Sequence, residues 1–271
     1  MSIEKLQTHY GFSTMPFGRG IAVGALHRHR GHAEAVARIR WLIDQNALGV
    51  VTGEVGAGKT VAVRAALADL DASRHTVIYL PNPTIGVRGL NGAIATALGQ
   101  PPRFHHATLI PQVADALAAE TGERGRRVIL ALDEAHLLDA AQLEAIRMLT
   151  NASMDSVSHL ACLFIGQPTL RRRLKLGDMA ALDQRISLRY AMPGLDLPET
   201  KAYIQHHLAL AGRSDPMFSD DAIALITQTA RGMPRAINNL AVTALLAAYA
   251  DRKAIVDESS ARTAIAELTT D

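Results

Sequence analysis

Gly53-Glu54-Val55-Gly56-Ala57-Gly58-Lys59-Thr60 follows a short apolar run, Ala47 to Thr52, and precedes the helical pattern Val61 to Leu67. It satisfies G-x-x-x-x-G-K-[ST] at every required position, in the strand-to-helix setting that a phosphate-binding loop needs. Gly53, Gly56 and Gly58 allow backbone conformations closed to a Cβ, so that successive N–H groups can turn toward phosphate oxygens. Lys59 brings a mobile cation to the β- and γ-phosphates, Thr60 a hydroxyl for Mg²⁺, and the helix start a partial positive charge. The stretch predicts a nucleoside triphosphate site with ATP and Mg²⁺ as ligands.

A second site is predicted where the apolar run Val128-Ile129-Leu130-Ala131-Leu132 delivers Asp133 and Glu134. In a parallel sheet, ligands collect at the carboxyl ends of the strands. An acidic pair there is the Walker B pattern, with Asp133 helping to hold Mg²⁺ and Glu134 orienting or deprotonating the attacking water. Asp133-Glu134-Ala135-His136 also spells the name of a helicase class, but two motor domains are not expected in 271 residues. Further on, Leu160 to Ile165 reads as a strand ending at Gly166-Gln167-Pro168. Gln167 therefore falls at the same edge as Asp133, where its amide can sense the γ-phosphate, hold the attacking water, or cap a turn.

Hydrophobic residues make up 48% of the chain and charged ones 20%, ordinary for a globular protein. No apolar run approaches the roughly 20 residues of a membrane span, and the start has no signal-like pattern, so a cytoplasmic protein without membrane contact is expected. A net charge of +2 leaves any contact with nucleic acid to local patches. The single cysteine, Cys162, lies in an apolar run and reads as a structural thiol. Seven histidines, His27, His29, His32, His105, His106, His206 and His207, match no zinc spacing.

Three regions are predicted: a lead-in over 1–46 that packs on the core, an α/β core over 47–194, and an all-helical lid over 195–271. In the lead-in, Tyr10, Phe12 and Phe17 read as local core or as a cover for the nucleotide base. A helix over 32–46 buries Val36, Ile39 and Ile43, and one over 109–120 buries Ile110, Val113 and Leu117. Thr76–Leu80 and Ile186–Ala191 are further strands. In the lid, Pro198 starts a helix, Ser219 caps the next, Gly232 stops it, Pro234 opens another, and Asp257 caps the last.

Phosphate loop, acidic strand end, polar residue on the next strand, Arg185 before the last strand and a helical lid, in this order, resemble an AAA+ ATPase. Gly232-Met233-Pro234-Arg235 resembles the G-x-P-R sensor 2 motif, which implies Arg235 on the γ-phosphate. More narrowly, Gly166-Gln167-Pro168, Gln184-Arg185-Ile186-Ser187-Leu188-Arg189-Tyr190 and Pro234-Arg235-Ala236-Ile237-Asn238-Asn239-Leu240 resemble the ExeA-like group. That group includes ATPases of the general secretion pathway and helper ATPases of transposons, of the TniB and IstB kind.

The resemblance implies a P-loop NTPase core with a three-layer parallel sheet and a small helical lid. It also implies ATP hydrolysis, with Arg185, or failing it Arg189, as an arginine finger reaching a neighbouring subunit's nucleotide. Secretion members carry a membrane segment and a cell-wall-binding extension beyond the ATPase module, and the end of this chain at the lid favours the mobile-element role. The expected function is an ATP-dependent homo-oligomer on double-stranded DNA of any sequence that selects a target and recruits or activates a transposase. The alternative is a secretion-pathway or other protein-assembly ATPase without DNA. Arg88, Arg171, Arg172 and Arg173 are the candidate DNA contacts, a solvated basic face being the plainer explanation of the last three.

Overall fold

The computed structural model describes residues 3–18, 20–151 and 158–269, which fall into two compact units. One comprises Glu34–Glu54 and the described part of Lys59–Met192, and holds a five-stranded sheet in the order β2-β3-β4-β1-β5. The strands are β1 (Leu48–Thr52), β2 (His75–Leu80), β3 (Arg127–Leu132), β4 (Leu160–Gly166) and β5 (Ile186–Ala191), and every pair is parallel. β1 and β4 are buried along their whole length, as expected of central strands covered on both faces. The edge strand β5 alternates instead, burying Ile186, Leu188 and Tyr190 and exposing Ser187, Arg189 and Ala191.

Helices cover the sheet: α2 (Arg30–Asp44), α3 (Lys59–Ala68), α4 (Gly86–Ala97), α5 (His106–Gly122), α6 (Ala140–Leu149), α7 (Pro168–Leu174) and α8 (Ala180–Arg185), while α1 (Ile3–Tyr10) belongs to the other unit. α6 begins with a capping box in which the Asp139 carboxylate accepts from the Gln142 N–H and the Gln142 side chain accepts from the Asp139 N–H. On α5 the buried face differs from expectation. It runs through Leu109, Val113, Ala116 and Leu117, while Ile110 is exposed. Leu109 and Ile110 are adjacent and both apolar, so the 3.6-residue period fits either face until the sheet decides. Cys162 is buried on β4, and its thiol is pushed up by loss of solvent.

The second unit contains the described parts of Met1–Ala33 and Pro193–Asp271, together with Val55–Gly58. Its helices are α1, α9 (Leu197–Leu210), α10 (Asp220–Ala230), α11 (Pro234–Ala250) and α12 (Glu258–Thr269). Asp196 and Glu199 form a capping box at α9, Ser219 caps α10, and Asp257 accepts from the Ser260 N–H at the start of α12.

The expectation is a lead-in over 1–46 packing on the core; the division between the two units falls inside α2, after Ala33. Tyr10, Phe12 and Phe17 are buried in the core of the helical unit, with the Tyr10 hydroxyl donating to Leu245 O at 3.0 Å. Rings buried this way are structural, and the alternative in which they cover a base finds no exposed ring.

Histidines gather in the same unit. His29, His32 and His207 are buried, His27 and His206 lie with ring centroids 5.2 Å apart, and Phe17 stacks on His207 at 5.1 Å. Both ring nitrogens of His32 lack a hydrogen-bond partner. Burial is the main cause that lowers His29 and His207 to about 4, and it lowers His27 and His32 as well; Arg28 opposes a charge on His32, whereas Glu199 favours one on His27 and His29.

These rings are neutral in the fold and take up protons first in the unfolded chain. Their stabilisation is therefore complete above about pH 6.5 and withdrawn as pH falls toward 4, by about 2 kcal/mol at pH 5 for each of His29 and His207. The urea midpoint should drop between pH 7.5 and 5, and His207→Phe should flatten part of that drop. A midpoint level across the range would contradict it.

Candidate nucleotide site

The loop between β1 and α3 begins with the Gly53 N–H donating to Gly166 O at 3.3 Å. Of its three glycines, Gly56 and Gly58 take the positive φ that a Cβ disfavours, 83° and 90°. Lys59 is buried, and its ammonium donates to Gly53 O at 2.8 Å and Glu54 O at 2.9 Å, which holds it against the loop.

Thr60 and Asp133 are 73 positions apart in sequence, yet the Thr60 hydroxyl donates to Asp133 Oδ2 at 2.8 Å. Two parallel strands that end at one sheet edge produce this meeting. Asp133 is buried, and its Oδ1 accepts the Glu134 N–H at 2.9 Å. Its Oδ2 accepts a second hydroxyl, that of Tyr79, also at 2.8 Å.

Sequence reasoning did not single out Tyr79. Its signal lies in register: on β2 it stands opposite Ala131, two residues before Asp133, a relation visible only once β2 and β3 are paired. Burial and the hydrogen bond to Asp133 push its phenol pKa up, so it remains a donor.

Glu134 follows with φ 51° and ψ 33°, in the left-handed region, and leads into a 3₁₀ turn over Ala135–Leu137. Its side chain is half exposed, with Oε2 3.4 Å from His136 Nδ1. That is ion-pair distance without hydrogen-bond geometry, since the same nitrogen lacks a hydrogen-bond partner.

Gln167 occupies the N-cap position of α7, but its side chain makes no capping hydrogen bond. Leu132 pairs with Phe164, so Asp133 and Gln167 leave the sheet at the same edge. Arg185 ends α8 immediately before β5, at the opposite edge from the loop. A six-residue strand spans roughly 20 Å, so Arg185 cannot serve the phosphate loop of its own chain. Glu144 feels its field, after the larger effect of its hydrogen bond from Arg147. Arg189 is engaged by Asp183, donating to its carboxylate at 2.7 Å and its carbonyl at 2.6 Å.

In the helical unit, the Arg235 N–H donates to Gly56 O at 3.3 Å, and a Cβ on Gly56 would lie 2.6 Å from the Arg235 Cβ. Gly56 and the start of α11 therefore touch through backbone and Cβ, and Arg235 is an exposed residue. Among the basic candidates, Arg88, Arg171 and Arg172 are exposed, whereas Arg173 donates to Leu138 O and serves the fold.

An AAA domain matches residues 43–174. The fold is that of an AAA+ P-loop NTPase. The Aeropyrum pernix ORC2 protein, solved in ADPNP-ADP complexes, has a TM-score of 0.66 at 18% identity, covering 94% of this chain and 71% of that one. Drosophila ORC bound to DNA has a TM-score of 0.67 at 17% identity, covering 98% and 66%. Likeness at such identities concerns the fold alone. General secretion pathway protein A of Aeromonas hydrophila is 33% identical over 245 residues, 89% of this chain. The chain spans 44% of that protein's length. Among the described residues, no helix is long and apolar enough to cross a membrane.

Proposed function

We propose that the protein binds ATP with Mg²⁺ along Gly53, Glu54, Val55, Gly56, Ala57, Gly58, Lys59 and Thr60 and hydrolyses it. The observation that carries this is the 2.8 Å contact of Thr60 with Asp133, which joins the hydroxyl and the carboxylate that a divalent ion would share. The ion, held by these two groups, would neutralise charge on the β- and γ-phosphates. Lys59 adds a cation to the same phosphates, and Glu134 takes the proton of the attacking water. Gln167 orients that water or senses the γ-phosphate, and Arg235 answers the γ-phosphate from the start of α11. Arg185 acts on a neighbouring subunit's nucleotide, a role its place at the far sheet edge permits only between subunits.

At the level of process, the protein works as an ATP-dependent oligomer on double-stranded DNA, a transposition helper that selects a target and recruits or activates a transposase. Support comes from the residue patterns around Gln167, Arg185 and Arg235, from exposed Arg88, Arg171 and Arg172, and from the DNA-bound state of a structural neighbour. The similarity to a general secretion pathway protein favours a second reading, a protein-assembly ATPase without DNA.

Glu134→Gln with ATP, run through size-exclusion chromatography with light scattering, should form a large complex on a duplex of any sequence and release it as salt rises. Arg185→Ala should still bind ATP yet fail in assembly and in DNA binding. A trapped protein that stays monomeric and ignores DNA at low salt favours the assembly ATPase.

Tyr79→Phe tests the metal site. Loss of a partner that orients a metal-binding carboxylate weakens metal affinity about 10- to 100-fold. The Mg²⁺ concentration at which calorimetric ATP affinity reaches half its gain should rise accordingly, with Mg²⁺-free affinity unchanged. An unaltered Mg²⁺ dependence would remove Tyr79 from this role.

A further inference from the structure

Residues 72–114 contain no aspartate or glutamate, while they include Arg74, Arg88, Arg103, His75, His105 and His106. This stretch supplies β2, α4 and the first half of α5. In the loop that joins the two helices, Phe104 is 79% exposed.

A phenylalanine in that position loses the benefit of burial and is usually flanked by flexible chain. Phe104 is held instead. The buried amide of Gln112 accepts from the Arg103 N–H at 3.0 Å and donates to Pro101 O at 2.9 Å and to Gln100 Oε1 at 3.2 Å. Arg88 donates through Nε to Phe104 O at 3.2 Å, and its guanidinium lies 5.6 Å from the ring centroid. Two prolines, Pro101 and Pro102, stiffen the approach. A clamp on each side of Arg103-Phe104 thus presents an apolar ring outward without the entropy loss of ordering a loose loop.

The surroundings of the ring define its partner. Arg88, Arg103, His105 and His106 are exposed beside it, and no acidic residue occurs in the surrounding stretch of chain. Arginines beside a flat apolar face suit a ligand with anionic and planar aromatic groups in alternation, which is the chemistry of nucleic acid. Arg88 is the third residue of α4, after the carboxyl end of β2, so the patch stands at the same sheet edge as the phosphate loop.

We infer that Phe104 is a stacking platform for an unpaired or unstacked DNA base, with Arg88 and Arg103 on the adjoining phosphates. The inference rests on the proposed action on DNA and adds to it a preference for locally opened DNA over an intact duplex.

The test uses the full chain with ATP, a paired duplex, and the same duplex carrying one unpaired 2-aminopurine, whose fluorescence falls on stacking. The parent should bind the second DNA roughly five- to hundredfold more tightly and quench the probe. Phe104→Ala should abolish preference and quenching but keep the affinity for the paired duplex, its ATPase rate and its melting temperature, while Phe104→Trp should retain both effects.

If the parent binds DNA and Phe104→Ala matches it on both duplexes, or loses both equally, the stacking assignment is overturned and the DNA reading stands. If the parent binds neither duplex, the DNA reading falls and this inference with it.

Discussion

Glu134→Gln is expected to bind ATP as tightly as the parent and to lose turnover by roughly 10²- to 10⁴-fold. The amide keeps the size of the carboxylate and cannot accept the proton of water. The backbone around it is held independently of that side chain, since the Glu134 N–H donates to Asp133 Oδ1 and Asp133 is fixed by Thr60 and Tyr79. Lys59→Ala gives the opposite pattern: ATP binding itself is lost, because the buried ammonium that faces the loop carbonyls is the cation proposed for the phosphates. Calorimetry for binding and phosphate release for turnover separate the two variants. A Glu134→Gln rate within twofold of the parent would remove Glu134 from the chemistry.

Gly232→Ala should lower the melting temperature by roughly 6–12 °C, corresponding to about 3 kcal/mol in a chain of this size. Gly232 has φ 69°, and a Cβ there would lie 2.2 Å from Leu195 O and 2.6 Å from Leu195 N. Both are backbone atoms, which cannot turn aside as a side chain could, and Leu195 N–H already donates to Gly232 O at 2.8 Å. The damage reaches Gly56 as well, because α11 begins two residues later and carries Arg235 against it. A thermal melt by circular dichroism within two degrees of the parent would contradict this account.

What could be read in the sequence depended on how locally each feature is encoded. Gly53–Thr60 is one uninterrupted stretch whose pattern is complete within eight positions, and the helix-start residues Ser219, Pro234 and Asp257 act on their own turns. Thr60 and Asp133 could be related across 73 positions because parallel strands bring their carboxyl ends to one edge whatever their order. Tyr79 could not, since its hydroxyl meets Asp133 only in the observed register of β2 against β3. The docking of Tyr10 near Leu245, 235 positions away, is not signalled by any periodicity. Arg173 reads as a surface cation in the run Arg171-Arg172-Arg173 until α7 turns it toward Leu138 O.

The left-handed backbone at Glu134, φ 51°, costs a residue with a Cβ about 1–2 kcal/mol relative to glycine. Substitution by glycine at this one position should therefore make the fold more resistant to heat while removing the carboxylate that the proposed hydrolysis requires. With the proposed role of Glu134, stability and turnover are opposed at this position, and a screen that ranks variants by melting temperature alone would select against turnover there.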